Sequence, residues 1–451
     1  MSKRFDLARA APRLVLASTI AVIVALAALL GRIGADAQWL AALGHVIAQR
    51  HTIPSGVPFA VEPTRHWANA LVLAELIFNG LERTLGDRGL MLAQLVAVAV
   101  AITVLARDAR DGGAEPIGVS AALLLAALGA LSSLAIVRVQ LFSLLLFPVL
   151  VALLRAQTRS PSRAIWWTVP LLALWSNLHG VALLGLGIVL AYLVLERGRR
   201  QPRLAVGVAG ASVLALFATP ALARTFNYYD GVVTNLAAQR GAGMWGPLSL
   251  SSPLDLILLV TALALGWRMW RARATIWEWG VVAALSLLTV HASRNGVWLL
   301  FFLVAPAAKA LAPQRSLRTL MPIAAVASVV VICFAVVRGP ASSGASSSLV
   351  TGAIALAHGS PVLADGSIDE QVALAGGRIW AGNPIDAFSH PVQAAYLDWV
   401  AGTPDGRRAL GPDVRVVLVT TGTETQTLMQ DTPGFAWAGG DRSTALYERV
   451  G

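Results

Sequence analysis

The sequence contains little charge and almost no cysteine. Charged residues make up 13% of the 451 residues, whereas hydrophobic residues make up 56%. The one cysteine, Cys333, lies within an apolar stretch, which excludes a disulfide framework or a cysteine-based metal site built by this chain alone. So much apolar surface exceeds what one soluble core of ordinary composition uses. The composition therefore indicates that lipid is the solvent for much of the chain.

The motifs of soluble enzymes are also missing. There is no P-loop, no glycine-rich dinucleotide turn, and no His-Glu-x-x-His in an appropriate setting. His45, His51 and His66 follow no standard ligand spacing and no paired-aspartate motif is found, so neither a metal nor a cofactor is predicted. The net charge of +11 is spread over many short joints, which argues against nucleic acid as a partner.

Long apolar runs are the main feature of the chain. A helix of about 20 apolar residues crosses roughly 30 Å of hydrocarbon. The runs predict an all-α polytopic membrane bundle of about eleven transmembrane helices. The predicted spans lie near residues 14–30, 88–106, 118–136, 141–155, 166–179, 181–195, 204–218, 253–267, 275–292, 297–312 and 319–337. We interpret the first run as a retained span, because no small-residue cleavage site followed by polar sequence comes after it.

Basic residues are concentrated in every second joint between the predicted spans. The amino terminus is basic, and the positive-inside rule places it in the cytoplasm. Every second joint should then be cytoplasmic, and each of these joints is rich in arginine or lysine: Arg107 and Arg110; Arg155, Arg159 and Arg163; Arg197, Arg199, Arg200 and Arg203; Arg268, Arg271 and Arg273; Lys309, Arg315 and Arg318. The sequence therefore predicts a multi-pass protein of the cytoplasmic (inner) membrane with an extracytoplasmic carboxyl terminus.

The predicted domains are a transmembrane domain and a small outer domain. Residues 1–337 form the first, with outer loops at 36–87 and 219–252. Residues 338–451 form a Gly/Ser/Ala-rich linker and an extracytoplasmic α/β domain. In that domain Pro361–Ala364 and Val414–Thr420 predict short buried strands and Glu424–Gln430 predicts a helix.

Polar residues at the ends of predicted spans are candidates for a functional site, because ionisable groups are unfavourable in lipid. The topology places all of them at the outer boundary, which predicts one polar site at the outer mouth of the bundle. They are Asp36, Arg138, Gln140, Asn177, His179, His291 and Arg294. A carboxylate such as Asp36 can act as a general base toward a hydroxyl. Guanidinium groups such as Arg138 and Arg294 are suited to phosphate.

Each candidate also has a structural interpretation. Asp36 is equally consistent with a water-exposed helix end, and Arg138 with a residue that extends its charge to the membrane surface. Asn177 and His179 fit interhelical hydrogen-bond partners. The tryptophans near span ends, including Trp39 and Trp67, are typical of an aromatic belt.

Several short motifs, in their order along the chain, resemble a family of bacterial polytopic membrane proteins related to the GT-C class of glycosyltransferases, most of them without an assigned substrate. The strongest match is the run 175–180, Trp-Ser-Asn-Leu-His-Gly. The others are Asp36-Ala37-Gln38-Trp39, Arg138-Val139-Gln140 in place of Arg-Pro-Gln, Arg294-Asn295, and the glycine-rich segment from Gly376 through Asp386. Two family positions differ: Ala70-Leu71-Val72 stands where relatives show His-Glu-Trp, and Val57 where an acidic residue is common.

The resemblance implies a function. It implies a glycosyltransferase that uses a polyprenyl-phosphate-linked sugar, with membrane lipid as its surroundings and a cell-envelope acceptor. Asp36 would deprotonate the acceptor, and Arg138, His179 and Arg294 would bind the leaving phosphate. Gln140, Asn177 and His291 would be further substrate-binding residues, and Glu75 is a candidate replacement for the missing acid. A lipid-linked saccharide transporter and a non-catalytic assembly protein are the alternatives, although the almost wholly apolar spans argue against the transporter.

Overall fold

The computed structural model describes residues 2–64, 67–311, 321–341 and 344–450. His66 and the basic joint residues Arg315 and Arg318 lie outside these ranges. Packing divides the chain into two compact units. The first, the helical unit, comprises Met1–Gly31, Met91–Ala218 and Met244–Pro340. The second, the mixed unit, comprises Arg32–Leu90, Thr219–Gly243 and Ala341–Gly451.

Helices make up most of the chain. In chain order they are α1 (Ser2–Leu29), α2 (Ala37–Arg50), α3 (Val72–Leu85), α4 (Asp87–Asp111), α5 (Pro116–Gly129), α6 (Leu131–Ala135), α7 (Leu141–Arg159), α8 (Thr168–Ser176), α9 (Ala182–Tyr192), α10 (Pro202–Ala215), α11 (Thr225–Thr234), α12 (Leu236–Gln239), α13 (Pro253–Arg271), α14 (Ile276–His291), α15 (Gly296–Lys309), α16 (Met321–Arg338), α17 (Ser347–Ala357), α18 (Ser367–Leu374), α19 (His390–Val400) and α20 (Glu424–Gln430). The strands are β1 (Arg32–Ile33), β2 (Ile136–Val137), β3 (Val362–Ala364), β4 (Val416–Thr420), β5 (Phe435–Gly440) and β6 (Thr444–Arg449).

The helical unit contains a helix at each predicted span. The predicted span 118–136 is divided, because α5 ends at Gly129 and α6 begins at Leu131. Gly129 has to be small, since a Cβ there would overlap the Thr261 hydroxyl of α13. Within the described ranges, three helices are long and apolar enough to cross a membrane: Asp87–Asp111, Leu141–Arg159 and Pro253–Arg271. Such helices are those of a membrane protein, and the number of crossings stays a prediction.

A buried ionic network joins three helices of this unit. The Arg155 guanidinium of α7 donates to Asp108 of α4 at 2.9 Å and to Glu278 of α14 at 3.0 Å. It also donates to the Phe302 carbonyl at 2.6 Å. The sequence pattern treated Arg155 only as a mark of a cytoplasmic joint. In the structure it also holds helices together.

The mixed unit is built on a four-stranded sheet with the order β3-β4-β6-β5. Strands β3 and β4 are parallel, whereas β6 is antiparallel to both of its neighbours. The two predicted strands are confirmed with slightly shorter bounds, and the predicted helix Glu424–Gln430 is confirmed as α20. The hairpin of β5 and β6 was not predicted, because much of β5 is solvent-exposed and contains two glycines that obscure the strand pattern.

Helix α2 packs closely against α3 and α18 in the mixed unit. A Cβ on Gly44 of α2 would overlap the Glu75 carbonyl of α3, so this close approach requires glycine. Residues 32–90 and 219–243 thus share one compact unit with the carboxyl-terminal sheet. The sequence-based division at residue 337 groups these loops with the helices instead.

Candidate functional site

Asp36 lies in the turn directly before α2, within the mixed unit. Its backbone is left-handed, with φ 80° and ψ −20°, a conformation that aspartate tolerates better than most residues. The side chain is partly exposed, and its Oδ1 accepts a long hydrogen bond from Trp39 Nε1 at 3.5 Å. Although aspartate at this position commonly caps its own helix, Asp36 makes no such bond. Its carboxylate therefore has a role other than capping α2.

Glu370 of α18 caps α2 instead. Its carboxylate accepts the backbone N–H groups of Asp36 at 2.8 Å, Gln38 at 3.2 Å and Trp39 at 3.4 Å. The side chain is 1% exposed. Burial raises the pKa of Glu370 to about 7, and the negative charge of Asp36 adds to the increase. Two carboxylates thus lie side by side at the start of α2.

Asp386 is a third acidic residue of this region. Its Oδ2 accepts a hydrogen bond of 3.0 Å from Trp67 Nε1, and the Trp67 ring meets the Trp39 ring edge to face at 6.2 Å. Burial raises the pKa of Asp386 to about 6, and the charge of Asp36 contributes to the increase. Both tryptophans, which the sequence assigned to an aromatic belt, donate indole N–H groups to carboxylates. We call Asp36, Glu370 and Asp386 the carboxylate cluster.

Tyr228 of α11 is buried beside this cluster. Burial raises the pKa of Tyr228 well above its usual value, and the charges of Asp386, Tyr229, Asp36 and Glu75 raise it further. Its ring lies 5.3 Å from that of Tyr229. The loop that carries α11 therefore brings two aromatic hydroxyls to the acidic residues of the mixed unit.

Glu75, the candidate replacement for the missing family acid, is fully buried in α3. One of its carboxylate oxygens accepts a hydrogen bond of 2.8 Å from Asn69 Nδ2. Burial raises the pKa of Glu75 to about 8. In most molecules the Glu75 carboxyl is therefore protonated at neutral pH, which makes Glu75 a poor general base.

In the helical unit, His179 lies in the turn after α8. Its Nδ1 is 2.6 Å from the Ser143 hydroxyl of α7, and this hydroxyl also accepts a hydrogen bond of 2.7 Å from Trp175 Nε1. The Ser143 hydroxyl thus connects the His179 imidazole to the Trp175 indole. Ser143 and Trp175 together fix the orientation of this ring.

Two arginines lie within electrostatic reach of His179. The positive charges of Arg294 and Arg138 both act on the imidazole. Arg138 precedes α7 in a turn in which Leu141 N–H donates to the Arg138 carbonyl at 3.0 Å. Arg294 lies in a short 3-10 turn after α14, with its guanidinium 3.5 Å from the centre of the Trp245 ring. We call Arg138, His179 and Arg294 the cation cluster.

The remaining predicted residues of the helical unit differ in their surroundings. Gln140 is buried directly before α7. The Asn177 amide donates to the Ala173 carbonyl at 2.8 Å and to the Ala218 carbonyl at 2.6 Å, which matches the interhelical interpretation. His291 is the exposed last residue of α14. Asp36 alone among the predicted site residues belongs to the mixed unit.

An apolar groove runs along α13, α14 and α15 of the helical unit. It has a volume of about 430 Å³ and an almost wholly apolar lining that includes Trp267, Trp270 and Leu303. Leu248 and Val290 also line it, and Leu248 N–H donates to the Val290 carbonyl at 3.1 Å. The two segments that carry Leu248 and Val290 also carry Trp245 and Arg294. The groove is thus connected along the chain to the segments that carry Trp245 and Arg294.

Sequence reasoning missed Glu370, Asp386 and Ser143. Glu370 follows Asp369 in the first turn of a short amphipathic helix, where acidic residues are ordinary. Asp386 ends a segment that attracted notice for its glycines. One of these, Gly382, is required because a Cβ there would overlap the Asp369 carboxylate. The described residues contain no group of three or more histidine, cysteine or acidic side chains arranged to hold a metal ion.

Comparisons with known proteins support the fold. No family model matches the sequence. No curated protein matches it either. Among solved structures, the arabinofuranosyltransferase AftD from Mycobacteria matches 96% of this chain with a TM-score of 0.51 and 14% identity. The match covers 41% of the AftD chain, so this chain spans about two fifths of that protein.

ArnT from Cupriavidus metallidurans matches over its full length. The structure bound to undecaprenyl phosphate gives a TM-score of 0.51 at 12% identity, with 97% of both chains covered. The apo structure gives a TM-score of 0.52 over the same shares. The chain has the GT-C fold. The predicted resemblance is therefore confirmed at the level of the fold, and the roles of individual residues stay predictions.

Proposed function

We propose that this protein is an integral membrane glycosyltransferase that transfers a sugar from a polyprenyl-phosphate-linked donor to a cell-envelope acceptor at the outer face of the cytoplasmic membrane. Its fold is shared with ArnT, which was solved with undecaprenyl phosphate bound, and with the arabinofuranosyltransferase AftD. Membrane-spanning apolar helices are consistent with a donor that never leaves the bilayer.

The observation that carries the proposal is the apolar groove whose flanking segments continue to Trp245 and Arg294. A polyprenyl phosphate has a long hydrocarbon chain and one anionic head. The groove suits the chain, and the cation cluster suits the head.

The chemistry is an inverting displacement. Asp36 accepts the proton of the acceptor hydroxyl, whose oxygen forms a bond to the anomeric carbon of the donor sugar. The bond from that carbon to the phosphate oxygen breaks, and its electron pair leaves with the polyprenyl phosphate. Arg138 and Arg294 stabilise the negative charge of this leaving group, and His179 binds it.

Gln140, Asn177 and His291 have supporting roles in this proposal. Gln140 and Asn177 hold the turns that carry Arg138 and His179. His291 is adjacent in sequence to the 3-10 turn that carries Arg294. These three residues position the donor-binding side chains and take no part in proton transfer.

Comparison of lipid extracts from cells with and without the protein tests the proposal first. A glycosyltransferase leaves an accumulated polyprenyl-phosphate sugar in the cells that lack it, and this lipid identifies the donor. The purified protein should then release polyprenyl phosphate from that donor in the presence of an acceptor. Movement of the intact donor across liposomes without turnover would favour a transporter, and neither activity would favour an assembly protein. Either result would contradict the proposal.

A further inference from the structure

The amino terminus of α2 is capped by a carboxylate from a distant part of the chain. The first N–H groups of a helix have no partner within the helix, so they require an acceptor from elsewhere. Glu370 of α18 supplies it through both of its oxygens: Oε1 accepts from Asp36 N–H, and Oε2 accepts from Gln38 and Trp39 N–H. One side chain therefore fixes the backbone on both sides of the turn that carries Asp36.

This arrangement differs from the usual capping at a helix start. An aspartate before the first helical residue normally turns its own carboxylate onto the N–H groups of the first turn. At Asp36 the left-handed backbone directs the side chain elsewhere, and its Oδ1 meets Trp39 Nε1. Because Glu370 satisfies the helix, the Asp36 carboxylate is spared from that structural task.

Glu370 is itself held by a second layer of contacts. Asn383 Nδ2 donates to its Oε1 at 2.8 Å, and Asn383 N–H donates to Asp369 at 3.1 Å. The Tyr396 hydroxyl of α19 donates to the same Asp369 oxygen at 3.3 Å. Glu370 is 1% exposed, so its rotamer is fixed by packing and hydrogen bonds together.

Such an arrangement carries an electrostatic penalty. Two carboxylates lie next to each other at one helix start, and the charge of Asp36 opposes ionisation of Glu370. A neutral amide would avoid this repulsion, but it would keep only one of the two oxygens that accept from the backbone of residues 36–39. The carboxylate thus gives a two-sided contact at an electrostatic cost.

We propose that Glu370 is a positioning residue for Asp36, holding the turn before α2 so that the Asp36 carboxylate is directed at the acceptor hydroxyl. The proposal rests on the proposed function for the identity of the reaction, whereas the capping contact itself does not. Glu370 touches no reacting atom and acts only through the backbone of residues 36–39.

The variant Glu370→Gln tests this role, because glutamine keeps the size of the side chain and removes one of the two acceptor oxygens. We expect kcat for sugar transfer to fall about 10- to 100-fold with KM for the donor unchanged, since the misplaced group is the base. Amide hydrogen exchange at residues 36–39 should become about 5- to 10-fold faster. The milder variant Asn383→Ala, which removes one contact to Glu370, should shift both quantities in the same direction by less.

Asp365→Asn provides the matched control. Asp365 is a buried carboxylate of the same unit whose two oxygens accept from the Thr420 N–H and the Thr420 hydroxyl of β4, both at 2.8 Å. This variant should leave kcat and the exchange of residues 36–39 close to those of the native protein. Equal effects of Asp365→Asn and Glu370→Gln would reduce Glu370 to a general stabilising residue and overturn the proposal.

Failure of this inference is distinguishable from failure of the proposed function. If the native protein transfers sugar but Glu370→Gln keeps native kcat, the positioning role is wrong and the function stands. If the native protein transfers no sugar, the proposed function fails. Faster amide exchange at residues 36–39 in Glu370→Gln would then still show that Glu370 caps α2. Unchanged exchange would show that the capping contact does not hold this turn.

Discussion

The ionic network of the helical unit and the carboxylate cluster of the mixed unit differ in how their charges are paired. In the network, Arg155 is surrounded by Asp108, Glu278 and a carbonyl oxygen, so that each of its charges has an opposite partner. In the mixed unit, the charges that most affect Glu370 and Asp386 come from Asp36, another carboxylate. Like charges in a buried region are unfavourable, whereas a satisfied ion pair holds its helices in one register.

The difference separates residues that maintain the fold from residues that serve chemistry. A buried network whose charges balance is accounted for by its contribution to the packing of the helices. A cluster in which burial raises the pKa values of Glu370 and Asp386 is not accounted for in this way, and such clusters are concentrated at functional sites. The mixed unit therefore contains the stronger candidate for a general base.

Breaking the balanced network should give the largest loss of stability. Arg155→Met leaves Asp108 and Glu278 buried without their cation, and we expect about 3–5 kcal/mol of destabilisation. Thermal unfolding of the purified protein in detergent measures it. Arg159→Met is the control, since Arg159 pairs with the same Asp108 at 3.3 Å but is 35% exposed. It should lose less than about 1 kcal/mol, and a similar loss in both variants would contradict the account.

A cation of the helical unit that lies over an aromatic ring should matter for substrate binding instead of stability. Arg294→Gln removes a guanidinium that lies over Trp245, and we expect KM for the lipid donor to rise about 10- to 100-fold. Arg271→Gln is the matched control, because Arg271 lies over Trp267 with 5.0 Å between guanidinium and ring centre. Initial-rate kinetics with both variants measure the effect. Equal KM changes would show that stacking, and not donor recognition, is at issue.

Neutralising a buried carboxylate of the mixed unit should stabilise the protein. The change in stability should be smaller than the loss expected for Arg155→Met. Burial raises the pKa of Glu75 from 4.5 to about 8, so the native state binds more protons than the unfolded state between these values. The stability of the native protein should therefore fall as pH rises from about 4.5 to about 8. Glu75→Gln removes this dependence and should be more stable than the native protein at pH 9, where the native carboxylate is buried and charged.

Unfolding midpoints measured between pH 5 and pH 9 test this prediction. Glu448→Gln, at a partly exposed position of β6, should keep the pH slope of the native protein. A slope that survives in Glu75→Gln would show that other groups are responsible. The buried carboxylate of the mixed unit would then not be the source of the pH dependence, which contradicts the account.

Much of the fold could be predicted because apolar runs and basic joints are strong local signals. Each predicted span corresponds to a helix, and α20 has the predicted bounds. The hairpin of β5 and β6 could not be predicted, since its exposed glycine-containing strand carries little periodic signal. The grouping of residues 32–90 and 219–243 with the carboxyl-terminal sheet depends on contacts between distant segments, which no local pattern records.

Part of the candidate site could also be predicted from local sequence signals. Polar residues at span ends are conspicuous against apolar sequence, and this directed attention to His179 and the two arginines that act on it. Glu370 lies 332 residues from Gln38, to whose backbone it bonds, and looks like an ordinary acidic residue in the first turn of a helix. Burial is what makes it unusual, and burial follows from tertiary packing.

The rate of sugar transfer by Asp36→Asn, compared with that by Asp386→Asn, tests the central claim most directly. Asparagine tolerates the left-handed backbone at position 36 and can still accept the Trp39 N–H, so the fold is preserved while the base is lost. Asp386→Asn likewise keeps an acceptor for Trp67. We predict a loss of about 10²- to 10⁴-fold for Asp36→Asn and less than about tenfold for Asp386→Asn. Native transfer rates in Asp36→Asn would contradict the account.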